Sequence, residues 1–200
     1  MDLHTLLAKA EIAEIVQRER AARDQAQWTQ MLACYHADAE VDLSWFHGTG
    51  ADFVVASRQQ YEAGHRAAHQ MSPAIITLQG TRALAQTPCV VSVRTPLNGV
   101  EVEVNTHSRL HQRFEARAGA WRISRLGIVY LRDSLTVVNP AEHIHIAPEE
   151  LQNYRPSYRF LSLLLAQIGQ PPRLNLPGID RPETVQPLLD RDNAWLAGED

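Results

Sequence analysis

Apolar residues recur at helical spacing through the first segment. Ala8, Ile12, Ile15 and Val16 share one face, and no Gly or Pro interrupts the run from Leu6 to Ala22. A polar stretch, Arg23 to Gln27, leads into a short second helix carrying Trp28, Met31, Leu32 and Tyr35. Val41, Leu43 and Trp45 then alternate with polar neighbours, which predicts a strand over Glu40 to Phe46, broken by Gly48-Thr49-Gly50. A third helix follows, with Phe53, Ser57, Tyr61 and Ala68 roughly on one face. From His69 the period drops to two. Strands are predicted over Pro73 to Leu78, Arg82 to Thr95, Val100 to Phe114 and Trp121 to Leu131. Pro88 implies an edge or a bulge, because it cannot donate to a ladder. Asn98-Gly99 predicts a type I′ hairpin, whose two central residues need positive φ.

The strand from Val100 has the clearest alternation. Val100, Val102, Val104, Thr106, Ser108, Leu110 and Phe114 share one face; Glu101, Glu103, Asn105, His107, Arg109, His111 and Arg113 share the other. A strand so long must curve, and its apolar face must be covered by the helices. The predicted class is α+β: three helices with one inserted strand, then a four-strand antiparallel meander. The mixed outer row suits solvent or a self-complementary interface, so a homo-oligomer, dimer or trimer, is expected. Its parity also takes His107 and His111 out of any internal site.

After Pro140 prolines punctuate the chain, with amphipathic pieces at Ser157 to Ile168 and Glu183 to Leu196. Residues 1–135 are read as the domain. Residues 136–200 are read as a helical, Pro-rich extension packed on it or on a neighbouring subunit, since they hold little core of their own. The 200 residues are 44% hydrophobic and 21% charged, as in an ordinary globular protein, and the net charge is −4. Scattered basic residues argue against a nucleic-acid footprint. The N-terminus has no secretory pattern, and the apolar run Leu161 to Ile168 is too short to span a bilayer, so no membrane partner is expected. Cys34 and Cys89 lack CxxC spacing and read as buried thiols of a cytoplasmic protein.

Two phrases, Arg23-Asp24-Gln25-Ala26-Gln27-Trp28 and Cys34-Tyr35-His36-Ala37-Asp38-Ala39-Glu40-Val41, precede a third, Gly119-Ala120-Trp121-Arg122-Ile123. In that order the chain resembles SnoaL-like (NTF2-like) domains, nearest in pattern to the scytalone dehydratase-like group. The resemblance covers residues 5–133 and implies a cone-shaped NTF2-like fold, a curved antiparallel sheet wrapped on helices. It also implies that Asp24 pairs with a His following the third helix, the position His69 holds. The dehydratase pattern has Tyr where this chain has Arg23 and Leu43, and Asn at Leu110, while its Ser is kept as Ser108. Arg94 lies where that group carries a second pocket His.

The residues themselves place Val16, Arg20 and Asp24 on one i, i+4 row, so Asp24 ends the buried stripe. A carboxylate there, facing an apolar cavity, would be kept basic enough to take a proton. Equally, Asp24 could bond Arg20 or cap the helix near Trp28, leaving His69 a satisfied strand-start residue. Tyr35, Trp45, Phe46, Phe53 and Tyr130 could wall a substrate pocket or simply pack the core. Arg94 could bind an anionic oxygen or pair at the surface. His143-Ile144-His145 lacks further ligands at recognisable spacing, so no metal is expected, and no nucleotide motif occurs. The favoured expectation is a cofactor-independent lyase for a small aromatic or polyketide-type hydroxylated substrate. An isomerase or cyclase, or a non-catalytic module for hydrophobic ligands, is the alternative.

Overall fold

The computed structural model describes residues 2–199. Helix α1 (Leu3–Asp24) is capped by Asp2, whose side chain accepts from the Thr5 backbone N–H. Its buried stripe is the one the spacing predicts, but it continues through Glu19 and Arg20. The chain leaves α1 through Ala26, at φ 58°, and enters α2 (Trp28–Ala33). Strand β1 (Tyr35–Asp42) starts earlier than the alternation suggested, and β2 (His47–Thr49) pairs back on it. Helix α3 (Gly50–Glu62) stops short of Ala68, and Gly64 turns the chain at φ 88°. Ala68, which the sequence reading placed on the helix, therefore sits with His69 in a strand, β3 (Ala67–Met71).

Strands β4 (Ile75–Gln79), β5 (Arg82–Leu97), β6 (Val100–Arg117) and β7 (Ala120–Val137) follow. The sheet order is β2-β1-β7-β6-β5-β3, with β4 also on β5. The meander is antiparallel as expected, while β1 joins β7 in parallel. Along one edge of β5, β4 covers Arg82 to Gln86 and β3 covers Cys89 to Val93. Pro88 falls between these two partners, and its carbonyl accepts from Ser72 N–H. The missing donor costs nothing there, so the strand runs through.

On the inner face Val102, Val104, Leu110 and Phe114 are buried, as the alternation requires. The outer face differs from expectation at one end. His111 is buried, with Nδ1 3.5 Å from Asp192, and Arg113 Nε donates to the same carboxylate at 2.9 Å. Asp192 belongs to α6 (Gln186–Ala197), so the chain's own last helix covers the outward row that had been assigned to solvent or a partner.

The earlier part of the extension lies over the inner face. It contains α4 (Pro148–Gln152) and α5 (Arg159–Gln167). Leu163 and Leu164 of α5 pack with Val102 and Val104. Beyond β1, the free edge of β7 is taken by residues 177–179: Tyr130 N–H donates to Pro177, and Ile179 N–H donates to Tyr130. Arg155 fixes this crossing. Its Nε and Nη2 grip Asp180 at 2.7 Å each, and its Nη1 donates to the Leu174 and Leu176 carbonyls. Among the described residues no helix is long and apolar enough to cross a membrane.

Candidate active site

The inner face, α1 and α5 enclose a cavity of about 450 Å³. Its walls are mostly apolar, with Leu43, Trp45, Val91, Leu110, Ile128 and Leu161 among them. His69 reaches it from β3, and its side chain is 5% exposed. Asp24 stands behind His69, outside the lining. The His69 Nδ1 lies 2.6 Å from Asp24 Oδ1, and the His69 backbone N–H donates to Oδ2 at 2.7 Å. One carboxylate thus fixes both the ring and the strand that carries it. With Nδ1–H donating to Asp24, the Nε2 lone pair is left to face the cavity.

Arg23, at the helix end beside Asp24, covers that nitrogen. Its Nη1 is 3.4 Å from His69 Nε2, its Nε donates to Ser57 Oγ at 3.4 Å, and it lies over the Trp45 ring at 5.6 Å. Its distance to Asp24 is 3.9 Å. One turn back, Arg20 is paired with Glu19: Nη2 donates at 2.5 Å, Nε donates to the other oxygen, and Tyr35 Oη donates to Glu19 Oε1 at 2.8 Å. Arg20 also lies over Phe53, which packs against Trp45 and Phe46.

These charges set the protonation states of the cluster. Burial pushes His69 down to about 4; the bond to Asp24 opposes this, and Arg23 and Arg20 add to it. The imidazole is therefore neutral at neutral pH. Burial would raise Asp24, but the hydrogen bonds from His69 and the charge of Arg23 outweigh it and hold the carboxyl below its ordinary range. Burial, then repulsion from Arg20, brings Arg23 down to about 10. Arg20 keeps its charge, because Glu19 more than offsets its burial.

Of the wall residues taken from the sequence, Trp45 and Tyr130 line the cavity. Tyr130 Oη donates to Ser44 Oγ at 2.8 Å, and burial raises its pKa. Tyr35 and Phe53 do not line it. Tyr35 is turned to Glu19, and Phe53 is fully buried behind Trp45. Ser108 lies beneath the surface, donating to the Cys89 carbonyl at 3.2 Å. Arg94 is outside, paired with Glu103 at 3.3 Å, because Val93 and Thr95 take the inward positions on either side of it. Both cysteines are buried and free, and burial lifts each thiol to about 11. The sequence reading missed Arg23 as a pocket group. It also missed Thr106, whose buried hydroxyl lines the cavity without a partner.

Residues 4–127 match the model of the SnoaL-like domain, and the chain belongs to that family. It is 26% identical to Pea pathogenicity protein 2 of Fusarium vanettenii, over 96% of this chain and 87% of that relative. A PEP2-like protein of the same fungus is 25% identical over 97% of this chain and 88% of its own length. Both alignments therefore run through the extension. Among solved structures, the hexachlorocyclohexane dehydrochlorinase LinA-type3 of Novosphingobium barchaimii superposes with a TM-score of 0.58 at 16% identity, over 74% of this chain and 99% of that one. A proposed scytalone dehydratase of Novosphingobium aromaticivorans gives 0.55 at 17% identity, over 72% and 93%. At such identities the likeness establishes the fold.

Proposed function

We propose that this protein is a cofactor-independent lyase that removes a proton from carbon, with His69 as the base and Asp24 as its support. The observation that carries the reading is the 2.6 Å bond from His69 Nδ1 to Asp24, which leaves Nε2 as the acceptor on the cavity side, with Arg23 Nη1 3.4 Å from it. Asp24 fixes the tautomer and stabilises the imidazolium as it forms. The cavity volume suits a small aromatic or polyketide-type hydroxylated substrate, with Trp45 and the aliphatic wall gripping its apolar part. A hydroxyl beside the new carbanion would leave as water. Return of the proton to a different carbon would make the same dyad an isomerase. The structural neighbours named for dehydrochlorination and dehydration support the class of chemistry by analogy of fold.

Proton abstraction can be read without knowing the leaving group. Hydroxylated aryl ketones in deuterium oxide should lose α C–H signal, or eliminate water, faster with the protein than in buffer. Asp24→Asn and His69→Ala should each lower that rate by on the order of 10²–10⁴, with the double variant little worse than the poorer single one. Unchanged turnover in His69→Ala would refute the base. No acceleration by the wild type across the ketones would favour ligand binding without chemistry.

A further inference from the structure

Of the two α1 arginines that line this cavity, Arg23 is the one whose charge is less used. Arg20 is held by Glu19 through two bonds, whereas Arg23 has Ser57 Oγ and His69 Nε2 at 3.4 Å, a carboxylate oxygen at 3.9 Å and the Trp45 ring at 5.6 Å. Its side chain is 13% exposed and lines the cavity. A guanidinium has five donors in a fixed fork, and leaving them poorly engaged in a buried place is costly unless something else engages them. With a neutral imidazole, Glu19, Arg20, Arg23 and Asp24 sum to zero charge, so a proton arriving on His69 leaves the cluster one positive charge in excess. A negative charge beside Arg23 is what that state lacks.

Position makes the requirement sharper. Because Nη1 is within 3.4 Å of Nε2, an oxygen held by Arg23 lies next to the atom whose proton His69 takes. A carbonyl carbon and its α carbon meet that spacing. A second polar point lies further along the same cross-strand row: His69 faces Val91 on β5, and Val91 faces Thr106 on β6. Two strand spacings, roughly 10 Å between backbones, separate the base from the unpartnered Thr106 hydroxyl.

We propose that Arg23 is the oxyanion-binding catalytic residue of this site, and that its substrate is a planar carbonyl compound deprotonated at the α carbon and carrying a second oxygen for Thr106. This rests on the reading of His69 as base. The C–H bond breaks and its proton passes to Nε2. Its electron pair moves into the carbonyl, giving an enolate oxygen held by Arg23. The pair then returns and expels a β-hydroxyl, which takes the proton back from Nε2 and leaves as water. If instead the proton is delivered to another carbon, the product is an isomer.

Naphthoate, a stable planar oxyanion, and naphthamide, its uncharged counterpart, separate this proposal from the dyad itself. Calorimetry on the full-length protein should show naphthoate binding on the order of tenfold to a hundredfold tighter than naphthamide, the range of one charge-assisted bond. Arg23→Gln should erase that preference while keeping naphthamide affinity. Arg66→Gln, at another cavity arginine, and His69→Gln should retain it. Equal affinities or no binding in the wild type, a test needing no variant, would overturn the proposal. So would a preference that survives Arg23→Gln or vanishes in Arg66→Gln. Because binding is read without turnover, a failure of the base leaves this outcome separately readable.

Discussion

Glu19 is a carboxylate with no exposure, and it has two dependants, Arg20 and Tyr35. Removing its charge would strand a buried guanidinium, and breaking such a pair costs about 3–5 kcal/mol. Glu19→Gln should therefore lower unfolding free energy in urea by that amount. Tyr35→Phe should cost only about 1 kcal/mol, the net worth of one hydrogen bond. A Glu19→Gln protein within 1 kcal/mol of wild type would show that the network is not holding this end of α1. Charged residues inside an apolar helical stripe are what sequence periodicity handles worst. Arg20 was on the i, i+4 row, but Glu19 looks like an interruption of the stripe when it is buried within it. Arg23 was noted only as the residue standing where the dehydratase pattern has Tyr, and that departure was the available signal for a pocket position. Asp24 was accessible because its i, i+4 row and the family phrase agreed. Tyr35 and Phe53 could not be sorted from Trp45 by type, as core and cavity wall take the same aromatics. Arg94 could have been excluded by parity alone, being out of phase with Val91 and Val93.

Among the elements, α5 is held by a single acid. Asp133 of β7 lies on the cross-strand row of Thr106, and its Oδ2 accepts from Phe160 N–H at 2.7 Å and Leu161 N–H at 2.9 Å. These are first-turn donors that otherwise lack partners. Its Oδ1 is buried with no partner. Burial pushes its pKa up to about 6, against the ordinary 3.8, despite those two bonds. A carboxyl that holds its proton more tightly when folded adds stability below about pH 4, and that contribution is lost as pH rises through about 6. Asp133→Asn keeps an oxygen acceptor and cannot ionise. The stability difference, wild type minus variant, should thus fall between pH 4 and 6 and then level off; a difference that rises over that window would contradict the assignment. The helix itself was foreseeable from its leucines, but its anchor was not, because Asp133 lies well upstream in a strand. The parallel pairing of β1 with β7 was hidden likewise, since period-two alternation says nothing about which distant strand is a neighbour. The end of α3 was misjudged because Phe53 to Ala68 keeps approximate helical spacing past Gly64.

At the scale of the whole molecule, residues 138–199 wrap the sheet on both faces, with α5 inside and α6 outside. Removing them would expose Val102, Val104 and Tyr130 together with an unpaired β7 edge, a surface prone to association. Because α6 occupies only the His111 and Arg113 end of the outer row, Glu101, Asn105, His107 and Arg109 remain for a subunit contact, and we expect a dimer or trimer through them. Light scattering at micromolar concentration should give that size for the full chain and heterogeneous aggregates for a chain ending at Val137. A monomeric full chain would refute the contact, and a monodisperse truncated chain would refute the covering role. The enclosure of the cavity has one more consequence. Its charged end is supplied by residues 20–69, whereas its roof, Leu161 to Gln170, comes from a segment far along the chain. The two parts can therefore diverge at different rates. Relatives with altered roofs could exchange one ligand shape for another while keeping the same Asp24–His69 end, and grafting a foreign roof onto this chain would be the direct route to a new selectivity.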